Sequence, residues 1–219
     1  MEDPIGSHPT RAEQLDILAS IVADHAAPED QILDFGCGTG YVAKLILEKR
    51  SDLRFVGVDL KPESLEAAVK NLSPYGDRFD GFAGNLETLD EIGIPDGPYR
   101  FAMTALTFHD LPDEAKQRVI SFAAKRLTPD GYFLLYDRLR LTEADTFPLQ
   151  KSVWARIERE HGRGMRTSES FDQYEADIAP NNRPGRLIDY ASWFADASLV
   201  MQVLHLHGNV ALIGGAKLG

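Results

Sequence analysis

The sequence has a single cysteine and no long uninterrupted hydrophobic run. One thiol, that of Cys37, excludes an internal disulfide and any metal site built from several cysteines, so we expect a reducing, cytoplasmic location. No apolar run approaches the roughly 20 residues that span a bilayer. The first residues carry acids and proline where a secretory signal needs a basic and then an apolar stretch, so no membrane association is expected.

Basic residues are scarce relative to acidic ones: 23 Lys and Arg stand against 34 Asp and Glu, for a net charge of -11. Because this net negative charge would repel a polyanion, nucleic acid is disfavoured as a partner. Residues 138–186, with nine basic and eight acidic residues, form the only relatively basic region. The arginines there would meet an anionic substrate or simply line a solvated helix; they are Arg156, Arg159, Arg163 and Arg166.

Hydrophobic spacing predicts alternating helices and strands, and hence a parallel sheet covered by helices on both faces. Two β-rich runs at the end of the chain, Leu199–Leu206 and Asn209–Gly214, predict an antiparallel hairpin at the sheet edge. The earlier predicted strands are Ile32–Phe35, Phe55–Asp59, Phe79–Ala83, Tyr99–Ala105 and Tyr132–Tyr136. The predicted helices between and before them run from Arg11 to Ala26, Tyr41 to Lys49, Pro62 to Leu72 and Pro112 to Leu127.

Residues 138–186 interrupt this alternation with a segment too long for a simple crossover. We interpret it as a helical insertion, or lid, over the substrate side of one domain that spans residues 1–219. It is too short and too polar to hold a core of its own. One predicted helix there ends at Gly162 and Gly164; its apolar face would carry Leu149, Val153, Trp154 and Ile157.

The turn Gly36–Gly40 follows the first predicted strand, where ligands bind in doubly wound sheets. Its glycines let backbone N–H groups approach a ligand, and the helix that follows offers its positive end. Asp59, which ends the second strand, is placed to accept hydrogen bonds from both ribose hydroxyls. Each feature alone has a structural explanation, as a strand-ending turn or a helix cap. Together they indicate a cofactor that contains adenosine.

Two cofactors fit this turn. Gly38, Gly40 and Ala43 match the dinucleotide fingerprint, which leaves a nicotinamide-dependent oxidoreductase as an alternative. Asp34, however, is an acid inside a buried parallel strand, where it needs the loop or a cationic ligand group such as an ammonium as its partner. The chain also lacks a second run of parallel βα units, which favours a mononucleoside ligand.

Five segments form a set: ILDFGCGTG (Ile32–Gly40), VGVDL (Val56–Leu60), GNLETL (Gly84–Leu89), TALTFHDLPD (Thr104–Asp113) and LTPDGYFLLYD (Leu127–Asp137). In order and spacing they resemble the motifs of class I S-adenosyl-L-methionine (SAM)-dependent methyltransferases. The resemblance implies a Rossmann-like, doubly wound α/β fold with seven mostly parallel strands and an antiparallel C-terminal hairpin. It also implies methyl transfer from SAM to a small-molecule acceptor, with S-adenosyl-L-homocysteine (SAH) as product. The NRP segment, Asn182–Pro184, and the tail after it resemble the end of small-molecule methyltransferases and of carboxy-SAM synthases.

The resemblance also implies which positions bind the cofactor. The methionine part would lie against Asp34, Gly36, Cys37, Gly38 and the backbone of Ala105, the ribose against Asp59, and the adenine against Leu60, Asn85 and Leu86. The family commonly has Asp at the position of Asn85, and Asn still accepts and donates hydrogen bonds there. At the start of the fourth strand the family usually has an aromatic residue followed by Asp, and here Arg100 replaces the Asp. At the end of that strand it usually has a pair of histidines, and here Asp110 replaces one of them. These departures leave the substrate type open.

His109, at the end of the fourth predicted strand, is the candidate general base, because histidine readily exchanges a proton near neutral pH. Its alternative role is to pack against the cofactor. Asp110, Tyr136 and Asp137 also end strands, with helix capping, core packing and solvation as their respective structural roles. His205 and His207 flank the last turn without an evident third ligand, so no metal is predicted.

Three alternatives to a small-molecule methyltransferase stay open from the sequence. An RNA-modifying enzyme, for instance one acting on tRNA, would use the arginines of residues 138–186. A nicotinamide-dependent oxidoreductase would use the same glycine turn. A regulator that binds the cofactor without catalysis is consistent with the departures at Arg100 and Asp110. The oligomeric state is not predicted.

Overall fold

The computed structural model describes residues 10–162, 168–178 and 182–217. The elements of the first half are α1 (Arg11–His25), β1 (Gln31–Phe35), α2 (Tyr41–Lys49), β2 (Arg54–Asp59), α3 (Pro62–Leu72), β3 (Phe79–Ala83) and β4 (Tyr99–Ala105). Those of the second half are α4 (Asp113–Arg126), β5 (Leu127–Arg138), α5 (Phe147–His161), α6 (Phe171–Ile178), α7 (Leu187–Asp196), β6 (Leu199–His207) and β7 (Val210–Lys217). The predicted elements before residue 138 are confirmed, and most of their boundaries agree to within a residue.

The described strands form one seven-stranded sheet in the order β3-β2-β1-β4-β5-β7-β6. Strands β1 to β5 are parallel, and β7 lies antiparallel between β5 and β6. This confirms the predicted Rossmann-like sheet with its C-terminal hairpin. The only large boundary difference is in β5, which begins at Leu127 rather than Tyr132 because Leu127 already pairs with Tyr99. The carboxyl ends of β1, β2 and β4 meet at one edge, where the site is found.

Strand β1 is buried on both faces, and its side chains alternate between two hydrophobic clusters. Ile32 packs among residues of α1 and α2, whereas Leu33 and Phe35 pack toward α4 and α7. Burying a large apolar side chain of this kind contributes about 1.5–3 kcal/mol, so the centre of the sheet is rigid. The alternation places Asp34 on the α1 and α2 face, at the point where the strand meets the glycine turn.

The insertion has a small hydrophobic cluster of its own, which corrects the prediction that it is too polar for one. The rings of Phe147 and Trp154 lie edge to face with centroids 5.8 Å apart, and Phe147 lies at the same distance from Tyr174. Ile178 completes the buried cluster. Aromatic pairs of this geometry contribute about 0.5–1.5 kcal/mol beyond their buried area. The insertion is therefore held by its own packing as well as by the sheet.

Two of the four residues predicted to form the buried face of α5 are exposed instead. Trp154 and Ile157 are buried, but Leu149 is 69% exposed and Val153 is 43% exposed. The helix begins at Phe147, and the spacing from Phe147 to Trp154 and Ile157 sets the buried face instead. Gly162 ends α5 in the left-handed conformation, as predicted. The predicted helix end at Gly164 and the side chains of Arg163 and Arg166 lie outside the described residues.

None of the helices within residues 10–162, 168–178 and 182–217 is long and apolar enough to cross a bilayer.

Candidate active site

A cavity of about 610 Å³ opens at the carboxyl ends of β1 and β4. The glycine turn forms one wall, together with the first residues of α2. The segment after β4 and the end of β5 form a second wall, which includes Ala105, His109 and Arg138. The insertion closes the cavity with residues from α5, α6 and the segment before α7: Trp154, Ser168, Tyr174, Asp177, Ile178, Asn182 and Pro184.

The glycine turn is folded back onto the end of β2. The backbone N–H groups of Gly36 and Cys37 both donate to the carbonyl of Val58, at 2.7 and 3.0 Å. Gly36 has a φ of 73°, and a Cβ built there would lie 2.2 Å from Oγ1 of Thr107. Gly38 has a φ of 53° and open space where a Cβ would be. The first glycine is thus required by packing, and the second leaves room for a ligand.

Cys37 lines the cavity, but its thiol is directed away toward the sheet. A Cβ built on Gly57 of β2 would lie 2.8 Å from its Sγ. The side chain is buried, and burial raises the pKa of this thiol well above its usual range. Cys37 therefore remains a neutral thiol, and its contribution to a ligand is through the backbone.

Asp34 lies against the cavity as a buried carboxyl group that is not satisfied. Its residue is 2% exposed, and Oδ2 has no hydrogen-bond partner among the described residues. Burial, aided by the nearby carboxylate of Asp59, raises the pKa of Asp34 to about 7. A carboxyl group in this position gains a partner when a cationic group enters the cavity. The ammonium of a methionine moiety is such a group, so the residues here fit the cofactor implied by the sequence.

Asp59 has the structural role that the sequence offered for it. Its Oδ2 accepts a hydrogen bond from the N–H of Gly38 at 2.9 Å, and its Oδ1 accepts one from Lys61, just before α3, at 3.0 Å. The side chain therefore ties the turn to the start of the helix. Each carboxylate oxygen has a second acceptor site, so the same group can receive hydroxyl donors from a ribose.

The positions predicted to contact adenine follow β2 and β3 and do not line the cavity. Leu60 is 64% exposed beside Asp59. The Oδ1 of Asn85 accepts a hydrogen bond from the N–H of Glu87 at 2.9 Å, which leaves its amide nitrogen as the donor. The Leu86 side chain is buried in the core, so its backbone is what remains for a ligand. These residues lie along the same sheet edge, outward from the glycine turn.

The segment after β4 is strained and closely bound to the turn. Leu106 adopts a φ of 57°, which non-glycine residues rarely do, and its N–H donates to the carbonyl of Tyr136 at 2.8 Å. The Oγ1 of Thr107 lies 3.3 Å from the carbonyl of Ala105 and 3.4 Å from that of Gly36. Thr107 lies within the segment Thr104–Asp113, but its contact with Gly36 joins two strands and leaves no local pattern.

His109 and Asp137 form a pair. The Asp137 carboxylate accepts from the backbone N–H of His109 at 2.9 Å and from that of Arg138 at 2.7 Å. Its Oδ1 also lies 2.7 Å from Nδ1 of His109. An ionised carboxylate only accepts, so we assign the proton to Nδ1. The side chain of Asp137 is 1% exposed, so its interpretation as a solvated strand end is wrong.

The remaining predicted residues do not form a second site. Asp110 is 65% exposed, with Oδ1 3.6 Å from Nε2 of His109. Tyr136 is buried in the core, as its structural role implied. Arg156 pairs with Glu160 on the surface, and neither Arg156 nor Arg159 lines the cavity.

The rings of His205 and His207 lie 6.2 Å apart at the hairpin. Among the residues that the structure describes, no three His, Cys, Asp or Glu side chains are grouped to hold a metal ion.

A family model and curated relatives match part of this chain. Residues 32–131 match a family model described as a methyltransferase domain. The carboxy-S-adenosyl-L-methionine synthase of Campylobacter lari is 27% identical over 133 residues, which cover 61% of this chain and 55% of that protein. These matches support a class I SAM-dependent methyltransferase. Such enzymes use SAM as their methyl donor, which favours SAM over a dinucleotide at the glycine turn.

Solved methyltransferases share the fold at low sequence identity. An O-methyltransferase family protein from Burkholderia thailandensis superposes with a TM-score of 0.69 at 18% identity and covers 94% of this chain and 55% of its own. An O-methyltransferase family 2 protein from Planctomyces limnophilus, solved with apigenin, gives 0.64 at 21%, covering 99% of this chain and 62% of its own. This chain thus spans about half the length of the Campylobacter relative and of the Burkholderia structure.

The buried Asp34 makes a testable prediction about stability. Because folding raises its pKa from 3.8 to about 7, the folded protein keeps a proton that the unfolded chain loses in this range. Stability therefore falls as pH rises from about 4 to about 7. Asp34→Asn keeps the shape without the titration, so its unfolding free energy should exceed that of the wild type increasingly across this window, by about 4 kcal/mol at most.

Denaturant titrations below, within and above this window measure the difference. Asp24→Asn, at an exposed position of α1, is the matched control and should show no such trend. A constant difference between Asp34→Asn and the wild type at all pH values would contradict the assignment.

Proposed function

We propose that this protein transfers a methyl group from SAM to a small-molecule acceptor. One observation carries the proposal: a buried, unpartnered acid and an oriented histidine line the same cavity. Asp34 has a free carboxylate oxygen for a cationic ligand group, and His109 is held by Asp137. The family match supplies the reaction class, and the cavity volume of about 610 Å³ fits ligands of small-molecule size.

The chain's own residues would hold the cofactor in two halves. Asp34, Gly36, Cys37, Gly38 and Ala105 would hold its methionine part inside the cavity, where Asp34 gains the partner it lacks. Asp59 would accept the ribose hydroxyls through its remaining lone pairs. The adenine would lie outward along the sheet edge, against Leu60, Asn85 and the backbone of Leu86. When bound, SAM supplies a methyl group on a sulfonium centre.

His109 would accept the proton that the acceptor loses. With Nδ1 donating to Asp137, Nε2 is the nitrogen that can take a proton. The buried Asp137 fixes the ring and stabilises the imidazolium that forms, and Asp110 lies 3.6 Å from Nε2 to add a second favourable charge. Such proton transfer contributes about 10²–10⁴ in rate.

The insertion would act as the lid of the acceptor side. Its residues Trp154, Tyr174 and Ile178 line the cavity, where they would shield a bound acceptor from water. The overall charge of -11 and the pairing of Arg156 with Glu160 support a small molecule over RNA.

Cofactor binding is tested by titration calorimetry with SAM and SAH. The wild type should bind both, and Asp59→Ala should bind at least about tenfold more weakly, because hydrogen bonds to a charged group contribute about 1.5–3 kcal/mol. Glu63→Ala, at an exposed position of α3, is the control. Absence of SAM binding, or undiminished binding by Asp59→Ala, would contradict the proposal.

The affinity for SAM should depend on pH through Asp34. The carboxyl group must lose its proton to pair with the ligand's ammonium, and its pKa is raised to about 7 by burial. Below this value the association constant should rise up to about tenfold for each pH unit. In Asp34→Asn the binding should be weaker and this slope lost. An equal slope in the variant would show that another group titrates.

Methyl transfer is tested with labelled SAM and a panel of small hydroxyl, amino and thiol compounds. For an acceptor that the wild type methylates, His109→Gln should lower kcat about 10²-fold or more, and Asp137→Asn about tenfold, with SAM affinity retained. His25→Gln on α1 is the control, because His25 lies against Tyr132 away from the cavity. An unchanged kcat in His109→Gln would remove the general base. A carboxylated SAM rather than SAH as product would contradict methyl transfer.

A further inference from the structure

The NRP segment singled out in the sequence is tied directly to the turn that carries His109. The N–H of Arg183 donates to the carbonyl of His109 at 2.5 Å, and its guanidinium donates to the carbonyl of Asp110 at 3.1 Å. Two residues on, the carbonyl of Gly185 accepts the N–H of Arg140 at 3.0 Å. Residues 182–185 therefore form a strap between α6 and α7 that is held at both the catalytic turn and the end of β5.

A fully buried lysine holds the middle of this strap. The side chain of Lys116, on α4, is 0% exposed, and its Nζ lies 2.6 Å from Oδ1 of Asp113 and 2.6 Å from the carbonyl of Arg183. A buried ammonium is costly unless it is paired and hydrogen-bonded, and these two short contacts satisfy it. Lys116 does not line the cavity, and neither the cofactor nor the proton transfer uses it. Its effect is to fix the backbone at Arg183.

The residue before this anchor, Asn182, lines the cavity together with His109. Its Oδ1 is buried and has no hydrogen-bond partner in the described part of the chain. Buried side-chain oxygens are paired in the large majority of cases, and an unpaired one costs about 1–3 kcal/mol. Because the residue lines the cavity, a donor on a bound ligand is a candidate partner for this oxygen.

The wall that the insertion forms also carries two aromatic rings. The indole N–H of Trp154 already donates to Oδ1 of Asn209 at 3.3 Å, and the hydroxyl of Tyr174 accepts the N–H of Leu141 at 2.8 Å. Because the Trp154 N–H is already used and the Tyr174 oxygen already accepts a hydrogen bond, what both rings mainly offer to a ligand is apolar ring surface. A planar, apolar ligand body fits this wall.

We infer that Asn182 determines acceptor specificity: the acceptor is a compact aromatic molecule with two proton-bearing groups, one methylated and the other donating to Oδ1 of Asn182. Lys116 is a positioning residue that acts through the carbonyl of Arg183. The inference rests on the proposed methyl transfer and adds the substrate class to it. A site that hydrogen-bonds a substrate donor discriminates strongly against the analogue that lacks it, because the oxygen is then left unpaired.

The test compares catechol with phenol as acceptors, with SAM saturating. We expect the wild type to favour catechol in kcat/KM by about 10- to 100-fold, with most of the difference in KM. Asn182→Leu should lose this preference by binding catechol worse, with SAM affinity retained. Asn182→Asp, which keeps an acceptor oxygen, should retain part of the preference.

Lys116→Met should lose the same preference with SAM affinity retained. Asp113→Asn, which keeps the lysine but weakens its partner, is a milder variant should Lys116→Met fail to fold. Lys125→Met, at an exposed position of the same helix, should behave as wild type.

Three results would overturn the inference. They are equal use of catechol and phenol by the wild type, a preference that survives Asn182→Leu, and no transfer to either compound by a protein that binds SAM. Transfer to other compounds of the small-molecule panel would leave the proposed function standing in all three cases. A protein that neither binds SAM nor methylates any compound would instead contradict the proposed function itself.

Discussion

The buried carboxylate of Asp137 organises the catalytic edge of this molecule. It accepts hydrogen bonds from two backbone N–H groups and lies 2.7 Å from the imidazole of His109, so it fixes both the backbone turn after β4 and the ring that the turn carries. The NRP strap, in turn, is bound to the carbonyl of His109 through Arg183. The position of the strap thus depends on the turn that carries His109. The position of that turn depends in turn on the side chain of Asp137 at the end of β5.

The proposed cofactor side and the proposed acceptor side of the site differ in which group lacks a hydrogen-bond partner. On the cofactor side the glycine turn satisfies its own N–H groups on Val58 and Asp59, which leaves Asp34 as the unpaired group. On the acceptor side the histidine and the strap are paired, and Asn182 has the unpaired oxygen. Both open groups are buried and polar, and both line one cavity. In the proposed function, ligands would supply the missing partners at these two points.

The fold was predictable from the sequence where local pattern and packing agree. The strands β1 to β4 and the helices between them are long apolar runs with clear turn signals, and they were placed to within a residue. The face of α5 was not predictable, because Leu149 and Val153 fit the helical spacing as well as Phe147 does. Only the aromatic partners Phe171 and Tyr174, distant in sequence, decide which residues are buried.

The sequence by itself determined the sheet and the glycine turn, because the local spacing of apolar residues and glycines sets both, and it singled out the proposed cofactor residues. Asp34 was already out of place as an acid in a buried strand. Only the tertiary structure decided the acceptor side: the pairing of Asp137 with His109 across 28 positions, and that of Lys116 with Arg183 across 67. Contacts between elements so far apart leave no local pattern, since each residue alone is equally compatible with solvent.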